Sequence, residues 1–243
     1  MVNQRTKKRL KILFIWVGAI LITLLAAFYQ RITGPTYPKK VKTDVYGHKF
    51  NLSLPTSYSS SKDCEVFLPV RDDNIKAKLV YRKYPTNDKW DTVSFIYAPG
   101  GLAATLPKQS AAGKLEYYVL FKAYGKTISA TKQQPVIIRY KDDVPAWALV
   151  PHVILIFLAM LLSNTAGLMA FFKFEKARLY SLITFILLLL GGMILGPIIQ
   201  KYAFGDFWTG VPFGWDLTDN KTLIAFLAWV VALLANRRKF RPG

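Results

Sequence analysis

Residues 12–29 read ILFIWVGAILITLLAAFY, a run of apolar side chains without a charge or a proline. The residues just before it are strongly basic, and include Arg5, Lys7, Lys8, Arg9 and Lys11. A helix needs roughly 20 apolar residues to cross a hydrocarbon core of about 30 Å, and the apolar region of a signal peptide is shorter. Residues 1–29 are therefore predicted to be a basic cytoplasmic end and an uncleaved membrane anchor, with cleavage near residues 26–27 as the alternative.

Three more apolar runs follow in the second half of the chain, at residues 146–172, 179–199 and 222–236. The last run is short for a membrane span. Trp208 and Trp215 lie upstream of it, and aromatic side chains of this kind favour the membrane–water interface. We therefore predict about four transmembrane helices, with residues 146–243 forming a three-helix membrane domain.

Lysine and arginine are concentrated in two segments next to the predicted spans. Residues 173–178 carry Lys173, Lys176 and Arg178, and the tail after residue 236 is also basic. Short cytoplasmic loops carry an excess of Lys and Arg, so both termini are predicted to be cytoplasmic. Segments 30–145 and 199–221 are predicted to face outward. The expected location is a bacterial inner membrane or a plasma membrane.

The net charge of +19 is spread along the chain. Basic residues flank the spans and cover the segment between the first two spans, and they form no single stripe with interleaved aromatic residues. Such a stripe is typical of nucleic-acid binding. We therefore expect membrane lipid as a partner and no nucleic acid. For the basic surface of the segment between the first two spans, attraction to anionic headgroups or to an acidic partner is one interpretation, and an ordinary solvated surface is the favoured alternative.

Residues 30–145 form a polar segment with the size of one domain. Short runs in it alternate between apolar and polar residues, as in KAKLVYRK at residues 76–83 and TVSFIY at residues 92–97. Turn residues such as those at 99–101 separate the runs. About seven strands at this spacing predict an antiparallel β-sandwich. The predicted fold class is therefore a membrane α-helical protein with an all-β extracytoplasmic domain.

Two stretches in this segment, ATLP at residues 104–107 and AGKLEYYV at residues 112–119, carry a family resemblance. They resemble the later strands of fibronectin type III and immunoglobulin-like domains, where a Leu-Pro strand leads to a glycine and then to a Tyr-Tyr strand. The resemblance implies an immunoglobulin-like sandwich. It implies no activity, because this fold serves many functions. A sandwich on a membrane anchor is expected to bind an extracytoplasmic protein partner.

Cys64 is the one cysteine in the chain, which excludes an internal disulfide and a cysteine-rich zinc site. Its expected role is that of a small buried residue at the start of a strand. His48, in YGHKF at residues 46–50, is expected to lie in the first strand without a ligand role. We predict no catalytic residues and no metal site, because no second histidine lies in the segment to complete one.

Small and polar residues recur at close spacing in the second and third spans. The predicted interface residues are Ser163, Asn164, Gly167, Gly192 and Gly196. Small residues permit helices to approach closely, and an amide inside a bilayer requires a hydrogen-bond partner. Two interpretations stay open: packing of these helices within the chain, or docking against another membrane subunit.

The segment at residues 199–221 is rich in aromatic residues and glycine, as in FGDFWTGVPFGWD at residues 204–216. It is typical of an aromatic belt at the headgroups, with Asp216 or Asp219 capping the next helix. The segment also resembles the tryptophan-rich loop of the haem-handling proteins of cytochrome c maturation, through Trp208, Trp215 and Asp216. That resemblance implies haem as a cofactor, with His152, at the outer end of the second span, as an axial ligand.

These features favour a non-enzymatic accessory protein, a subunit or assembly factor of a membrane complex, which needs no cofactor. The alternative is a protein that handles haem or a quinone at the outer loop, with His152 as a ligand and the two tryptophans stacked on the ring. A membrane enzyme that uses Asp206, Asp216 and Asp219 ranks last. Carboxylates without a matched acid, base or metal partner define no reaction.

Overall fold

The computed structural model describes residues 4–236, and the basic residues predicted to mark the cytoplasmic tail, at 237–241, lie outside this range. The chain divides into two compact units. The segment Arg31–Asp143 contains all the strands of the described chain and is called the β unit. The helical segments on either side of it in the sequence form the other, which is called the helical unit.

Four helices in the described chain are long and apolar enough to cross a membrane. The third of them, Ala177–Phe204, contains a π-helical segment between two α-helical parts. The bounds are α1 Gln4–Thr33, α2 Ala146–Phe171, α3 Ala177–Leu188, the π segment Leu189–Leu195, α4 Gly196–Phe204 and α5 Leu217–Ala235. The prediction of about four helices of transmembrane length and composition is confirmed.

The last two of these helices extend beyond their predicted ends. α5 begins at Leu217 instead of residue 222, and α4 continues to Phe204 instead of ending at residue 199. The first turn of α5 is polar, so an apolar pattern does not detect it. The loop between the two helices therefore consists of residues 205–216, and is shorter than the predicted segment 199–221.

α1 and α2 are joined by a polar contact. Asn164 Nδ2 of α2 donates to Thr23 Oγ1 of α1 at 2.9 Å, and the Thr23 hydroxyl donates to the carbonyl of Ala19 at 2.7 Å. Ile15 of α1 and Met169 of α2 are both buried in one apolar cluster. The amide that was predicted to need a partner therefore has one inside its own chain. In an apolar surrounding such a bond contributes on the order of 1 kcal/mol.

The described part of the β unit contains eleven strands, where the sequence predicted about seven. Their bounds are β1 Lys39–Val45, β2 His48–Leu54, β3 Ser57–Ser59, β4 Cys64–Leu68, β5 Lys76–Lys83, β6 Asp91–Ser94, β7 Ile96–Ala98, β8 Gly101–Leu106, β9 Lys114–Ala123, β10 Lys126–Ser129 and β11 Val136–Lys141. β3, β6, β7 and β10 have only three or four residues each. Runs that short show too little alternation to be recognised.

The strands form three sheets. The hairpin of β1 and β2 is one sheet, β4-β8-β7 is the second, and β3-β11-β9-β5-β6 is the order of the third, in which β10 also pairs with β9. β3 and β11 are parallel, and the other pairings are antiparallel. The prediction of a β-rich segment is therefore confirmed at the level of a multi-sheet β region.

Side chains from all three sheets contribute to one apolar core. Leu52 of β2, Cys64 of β4, Leu79 of β5 and Val119 of β9 are members, and each is fully buried. Alternation along each strand sends every second side chain into this core, as in β4, where exposed residues separate three buried ones. Cys64 is buried at the first residue of β4, as predicted.

Two of the predicted strands were wrong in detail. The strand predicted at residues 92–97 is divided at Phe95, whose N–H donates to the carbonyl of Ala77 at 3.0 Å, and the chain passes there from the six-stranded to the three-stranded sheet. The strand predicted at residues 46–50 is interrupted by a turn. Tyr46 and Gly47 have φ angles of 55° and 87° and form a two-residue hairpin loop. His48 therefore begins β2 instead of lying in the first strand.

Candidate functional site

The start of α2, the π segment, α4, the start of α5 and the loop at residues 205–216 meet at one end of the helical unit. The rings of Trp147 on α2 and Tyr202 on α4 are in edge contact, with centroids 6.1 Å apart. Gly192 of the π segment lies against Thr222 of α5. All four residues named in the haem interpretation belong to these elements, so this end of the unit is the candidate site.

Two glycines of the π segment bring the neighbouring helices close. A Cβ added to Gly191 would lie 2.8 Å from Leu155 Cβ of α2, and one added to Gly192 would lie 2.8 Å from Thr222 Cγ2 of α5. Both distances are shorter than real carbon–carbon contacts, so a larger residue at either position would force the helices apart. Single π turns inside α-helices are rare and occur frequently at functional sites.

His152 of α2 is held by the π segment. Its Nδ1 lies 2.9 Å from the carbonyl oxygen of Gly191. A carbonyl only accepts hydrogen bonds, so in the neutral ring Nδ1 carries the proton and Nε2 keeps the lone pair. Histidines that ligate metals use this arrangement, with one ring nitrogen donating to a carbonyl while the other binds the metal. His152 therefore fits the geometry of a ligand on its own side of the site.

The loop at residues 205–216 is clamped to the first turn of α5. Asp219 is 8% exposed, and its Oδ2 accepts from the backbone N–H of Thr209 at 2.8 Å. Asn220 Oδ1 accepts from the N–H of Val211 at 2.8 Å. On the α4 side, Gln200 Nε2 donates to Thr209 Oγ1 at 2.6 Å. The loop is therefore an ordered structure with partners on both helices that it connects.

Glycine makes this close course of the loop feasible. A Cβ on Gly214 would lie 2.4 Å from the carbonyl oxygen of Thr209, and one on Gly210 would lie 2.7 Å from Asn220 Oδ1. Neither position has room for a side chain. Loop and helix thus fit together only because these two residues are glycine.

Asp216 caps α5 at its N-terminus. Its Oδ1 accepts from the N–H groups of Thr218 and Asp219, at 2.9 Å and 3.2 Å. This satisfies two of the backbone donors that a helix start leaves without intrahelical partners. Of the two capping residues proposed from the sequence, Asp216 is the cap, and Asp219 forms the clamp on Thr209 instead.

The two tryptophans of the loop differ in their surroundings. Trp208 Nε1 donates to the carbonyl of Val211 at 3.1 Å, so its ring is tied to its own loop. Trp215 is 88% exposed, and Phe213, two residues earlier in the loop, is 82% exposed. Trp208, Trp215, Asp216 and His152 therefore lie at the same end of the unit but are held by different elements. Trp215 is the one whose ring faces are most open to another molecule.

Sequence reasoning missed the clamp formed by Gln200, Asp219 and Asn220. The signal that could have found it is the second acid, Asp219, three residues after Asp216. A helix cap needs only one acidic side chain, so the other acid was available for a different contact. Two of the three aspartates in the enzyme interpretation, Asp216 and Asp219, thus have structural partners, while Asp206 is exposed. Within residues 4–236, no three His, Cys, Asp or Glu side chains come together as a metal site would require.

The predicted interface residues fall in different surroundings. Gly192 is buried between α2 and α5. A Cβ added to Gly196 would lie 3.8 Å from the carbonyl oxygen of Gly191. Ser163 is half-buried. Gly167 is exposed, and a Cβ added to it would meet nothing within 4 Å. The part of α2 around Gly167 is therefore open to a further helix.

No protein family model matches the chain, and none of the curated proteins compared with it matches significantly.

Proposed function

We propose that this chain is a non-enzymatic accessory protein of a membrane complex, either a subunit or an assembly factor. The four long apolar helices would anchor it in a bacterial inner membrane or a plasma membrane. The β unit would lie outside and bind a protein partner, while α2 would dock another membrane subunit. Both termini would be cytoplasmic, because the basic residues flank the spans on that side.

The open backbone around Gly167 is the observation that carries this proposal. Gly167 lies on α2 one turn after Ser163, and no neighbour within the described chain covers it. Small residues on a transmembrane helix favour close packing with another helix, because the backbones approach and gain van der Waals contact. Gly191 and Gly192 serve this purpose inside the chain, whereas Gly167 has no atom of another helix within 4 Å of its added Cβ and is open to an external helix.

The strand order supports an immunoglobulin-like fold for the β unit. Immunoglobulin domains pair the second, fifth and fourth strands in one sheet and place the third, sixth and seventh in the other. Here β4-β8-β7 matches the first sheet and β5-β9-β11 matches the second, with the short β3 running parallel to β11. Domains of this kind serve widely as binding modules, which fits an extracytoplasmic partner.

Copurification from the native membrane after crosslinking tests the docking proposal. We expect the wild-type protein to crosslink to another membrane protein, and Gly167→Leu to lose that product because the added side chain prevents close approach. Val231→Leu is the matched control, since Val231 is similarly exposed on α5. A wild-type protein that runs as a monomer in mild detergent, with no crosslinked partner, would show that the proposal is wrong.

We propose as second candidate that the loop end of the helical unit handles haem or a quinone. The specific support is the hydrogen bond from His152 Nδ1 to Gly191, which leaves Nε2 free to ligate. The open ring of Trp215 offers a stacking surface for a planar ligand. Haem bound there would supply redox chemistry, while the residues of this chain would hold and orient it.

A visible absorption spectrum of the protein purified from haem-replete cells tests this second candidate. If it is right, we expect a Soret band that shifts on reduction with dithionite and weakens strongly in His152→Ala. His48→Ala is the control, because it removes the second histidine of the chain, which lies in the β unit and outside the candidate site. A flat wild-type spectrum would eliminate haem, and an equal loss in both variants would argue against His152 as the ligand.

A further inference from the structure

A cleft of about 600 Å³ lies on the β unit between residues 39–42 of β1 and residues 129–134, which begin at the end of β10. Four of the described residues that line it are lysines, and the lining includes no acidic residue. These lysines are Lys39, Lys40, Lys42 and Lys132. Like charges gathered in one concave place attract an anion, because the low-dielectric walls concentrate their field.

The walls of the cleft are tied to each other and internally ordered. Lys39 Nζ donates to the carbonyl of Gln134 at 3.1 Å, and this bond joins β1 to the opposite wall. In that wall, the N–H of Lys132 donates to Ser129 Oγ at 3.0 Å, and the N–H of Gln134 donates to the carbonyl of Thr131 at 3.1 Å. The cleft is thus a feature of folded loops and strands with their own hydrogen bonds.

Two lysines of β1 project from strand positions beside the cleft. Lys40 and Lys42 are exposed, and Lys40 Nζ donates to Ser53 Oγ of β2 at 2.8 Å. β1 pairs only with β2 among the described strands, so its other edge is free. The backbone groups on that edge of β1 therefore have no strand of the described chain as a partner.

Thr131 adds an uncompensated polar group to the wall. The residue is 7% exposed, and its hydroxyl oxygen has no hydrogen-bond partner among the described residues. A buried hydroxyl without a partner costs free energy, and native proteins keep few of them without a reason. A ligand with several acceptor oxygens would supply the missing partner, because a hydroxyl hydrogen rotates to suit its acceptor.

We propose that this cleft binds the phosphate group of a ligand, with the four lysines and Thr131 as donors. A phosphate group carries up to two negative charges, and several acceptor oxygens surround its phosphorus atom. Several ammonium groups can therefore bind it at once. The volume is in the range of small-molecule sites. The phosphate comes from a lipid headgroup or from a soluble compound.

The full-length protein in phosphatidylcholine nanodiscs allows both sources to be tested. In the soluble arm, pyrophosphate is titrated and its affinity is measured by calorimetry. In the lipid arm, phosphatidylglycerol replaces part of the lipid, and acetylation of each lysine is followed by mass spectrometry. We expect protection of the cleft lysines in at least one arm, with little change at Lys108, an exposed lysine outside the cleft.

Two triple variants separate the cleft from general surface charge. The cleft variant carries Lys40→Gln, Lys42→Gln and Lys132→Gln, and retains Lys39 as a reporter of protection. The control variant removes the same charge from exposed positions on β5 and β9, through Lys76→Gln, Lys78→Gln and Lys122→Gln. We expect the cleft variant to bind at least about tenfold more weakly, as the loss of charge-assisted contacts requires, and the control to bind as the wild type does.

Thr131→Val tests the hydroxyl without a change in charge. Because this hydroxyl has no partner in the free protein, we expect the variant to have a thermal stability equal to or higher than that of the wild type and to bind pyrophosphate more weakly. Protection by pyrophosphate alone would identify a soluble ligand, and protection by phosphatidylglycerol alone would identify the headgroup; both results support the site. No protection in either arm would overturn the proposal. So would an equal loss in the control variant, or stronger protection by a polyglutamate peptide than by either phosphate source.

Discussion

Two buried tyrosines of the β unit differ in what their hydroxyl groups contact. Tyr117 and Tyr140 are both fully buried. The hydroxyl of Tyr117 donates to the carbonyl of Pro55 at 2.8 Å, whereas that of Tyr140 has no partner among the described residues. For both groups burial is the main cause that raises the pKa of the phenol above its ordinary value. The same chemical change at these two positions should therefore have different effects.

We expect Tyr117→Phe to lower the free energy of unfolding by about 1 kcal/mol, because it removes a hydrogen bond and leaves the Pro55 carbonyl without that donor. Tyr140→Phe should be neutral or stabilising, since it removes a buried hydroxyl that has no partner. Thermal unfolding followed by near-UV circular dichroism measures both. Equal losses in the two variants would contradict this assignment of hydrogen bonds.

Cys64 should be chemically inert while the protein is folded. Burial, helped by the nearby charge of Glu65, raises the pKa of its thiol to about 12, so the reactive thiolate is absent near neutral pH. We expect no maleimide labelling of the native protein at pH 8 and full labelling after denaturation. Ser110→Cys, at an exposed position, is the control that should react at once. Labelling of native Cys64 would mean that the core opens.

The same pKa gives the sign of the effect of pH on stability. The folded state holds the thiol proton more tightly than the unfolded state, whose thiol has an ordinary pKa near 9.0. The contribution of Cys64 to stability is therefore complete below about pH 9 and is lost as the pH rises toward 12. Cys64→Ala should have a smaller loss of stability over this pH interval than the wild-type protein.

At the scale of elements, sequence alternation was reliable where a strand was long. Residues 76–83 were predicted as a strand, and β5 has the same bounds. The pattern failed at Phe95, because an apolar residue in an apolar–polar run gives no sign that the chain leaves one sheet for another. It also failed at Tyr46, whose positive φ is uncommon for a residue with a side chain.

Contacts between elements could not be predicted, because they join distant parts of the chain. His152 and Gly191 are 39 positions apart, and Asn164 and Thr23 are 141 positions apart. The sequence identified His152 and Asn164 as residues of interest by their type and place. Their partners depend on which helix faces align, and a single sequence does not contain that information. The π segment was likewise not predicted, since its composition is that of an ordinary apolar helix.

The clamp on the loop at residues 205–216 makes a prediction at this scale. Asp219→Ala should release residues 205–216 from α5, because the N–H of Thr209 loses its buried acceptor. We expect faster cleavage by chymotrypsin within the loop, read by mass spectrometry, while α5 remains helical through the cap at Asp216. Asp206→Ala removes an equal charge from an exposed position and is the control. Similar cleavage rates in the two variants would show that the clamp does not hold the loop.

At the scale of the whole molecule, the number of long apolar helices and the presence of a β region followed from composition and period. The direction of the chain in the membrane stays a prediction, which rests on the basic residues of short loops. It can be tested with single cysteines in a Cys64→Ala background. An impermeant maleimide applied to intact spheroplasts should label Phe213→Cys, and should label Glu175→Cys only after permeabilisation. The reverse pattern would invert the orientation.

The pairing of β3 with β11 bears on how the β unit resists mechanical force. Residues 57–59 lie parallel to residues 139–141, and the N–H of Arg139 and the N–H of Ser60 donate across this pair, each at 3.0 Å. If a bound partner pulled the two ends of the unit in opposite directions, these bonds would be loaded together in shear, whereas an antiparallel hairpin such as β1 with β2 opens one bond at a time. The hairpin would then yield first, and the parallel pair would carry the load.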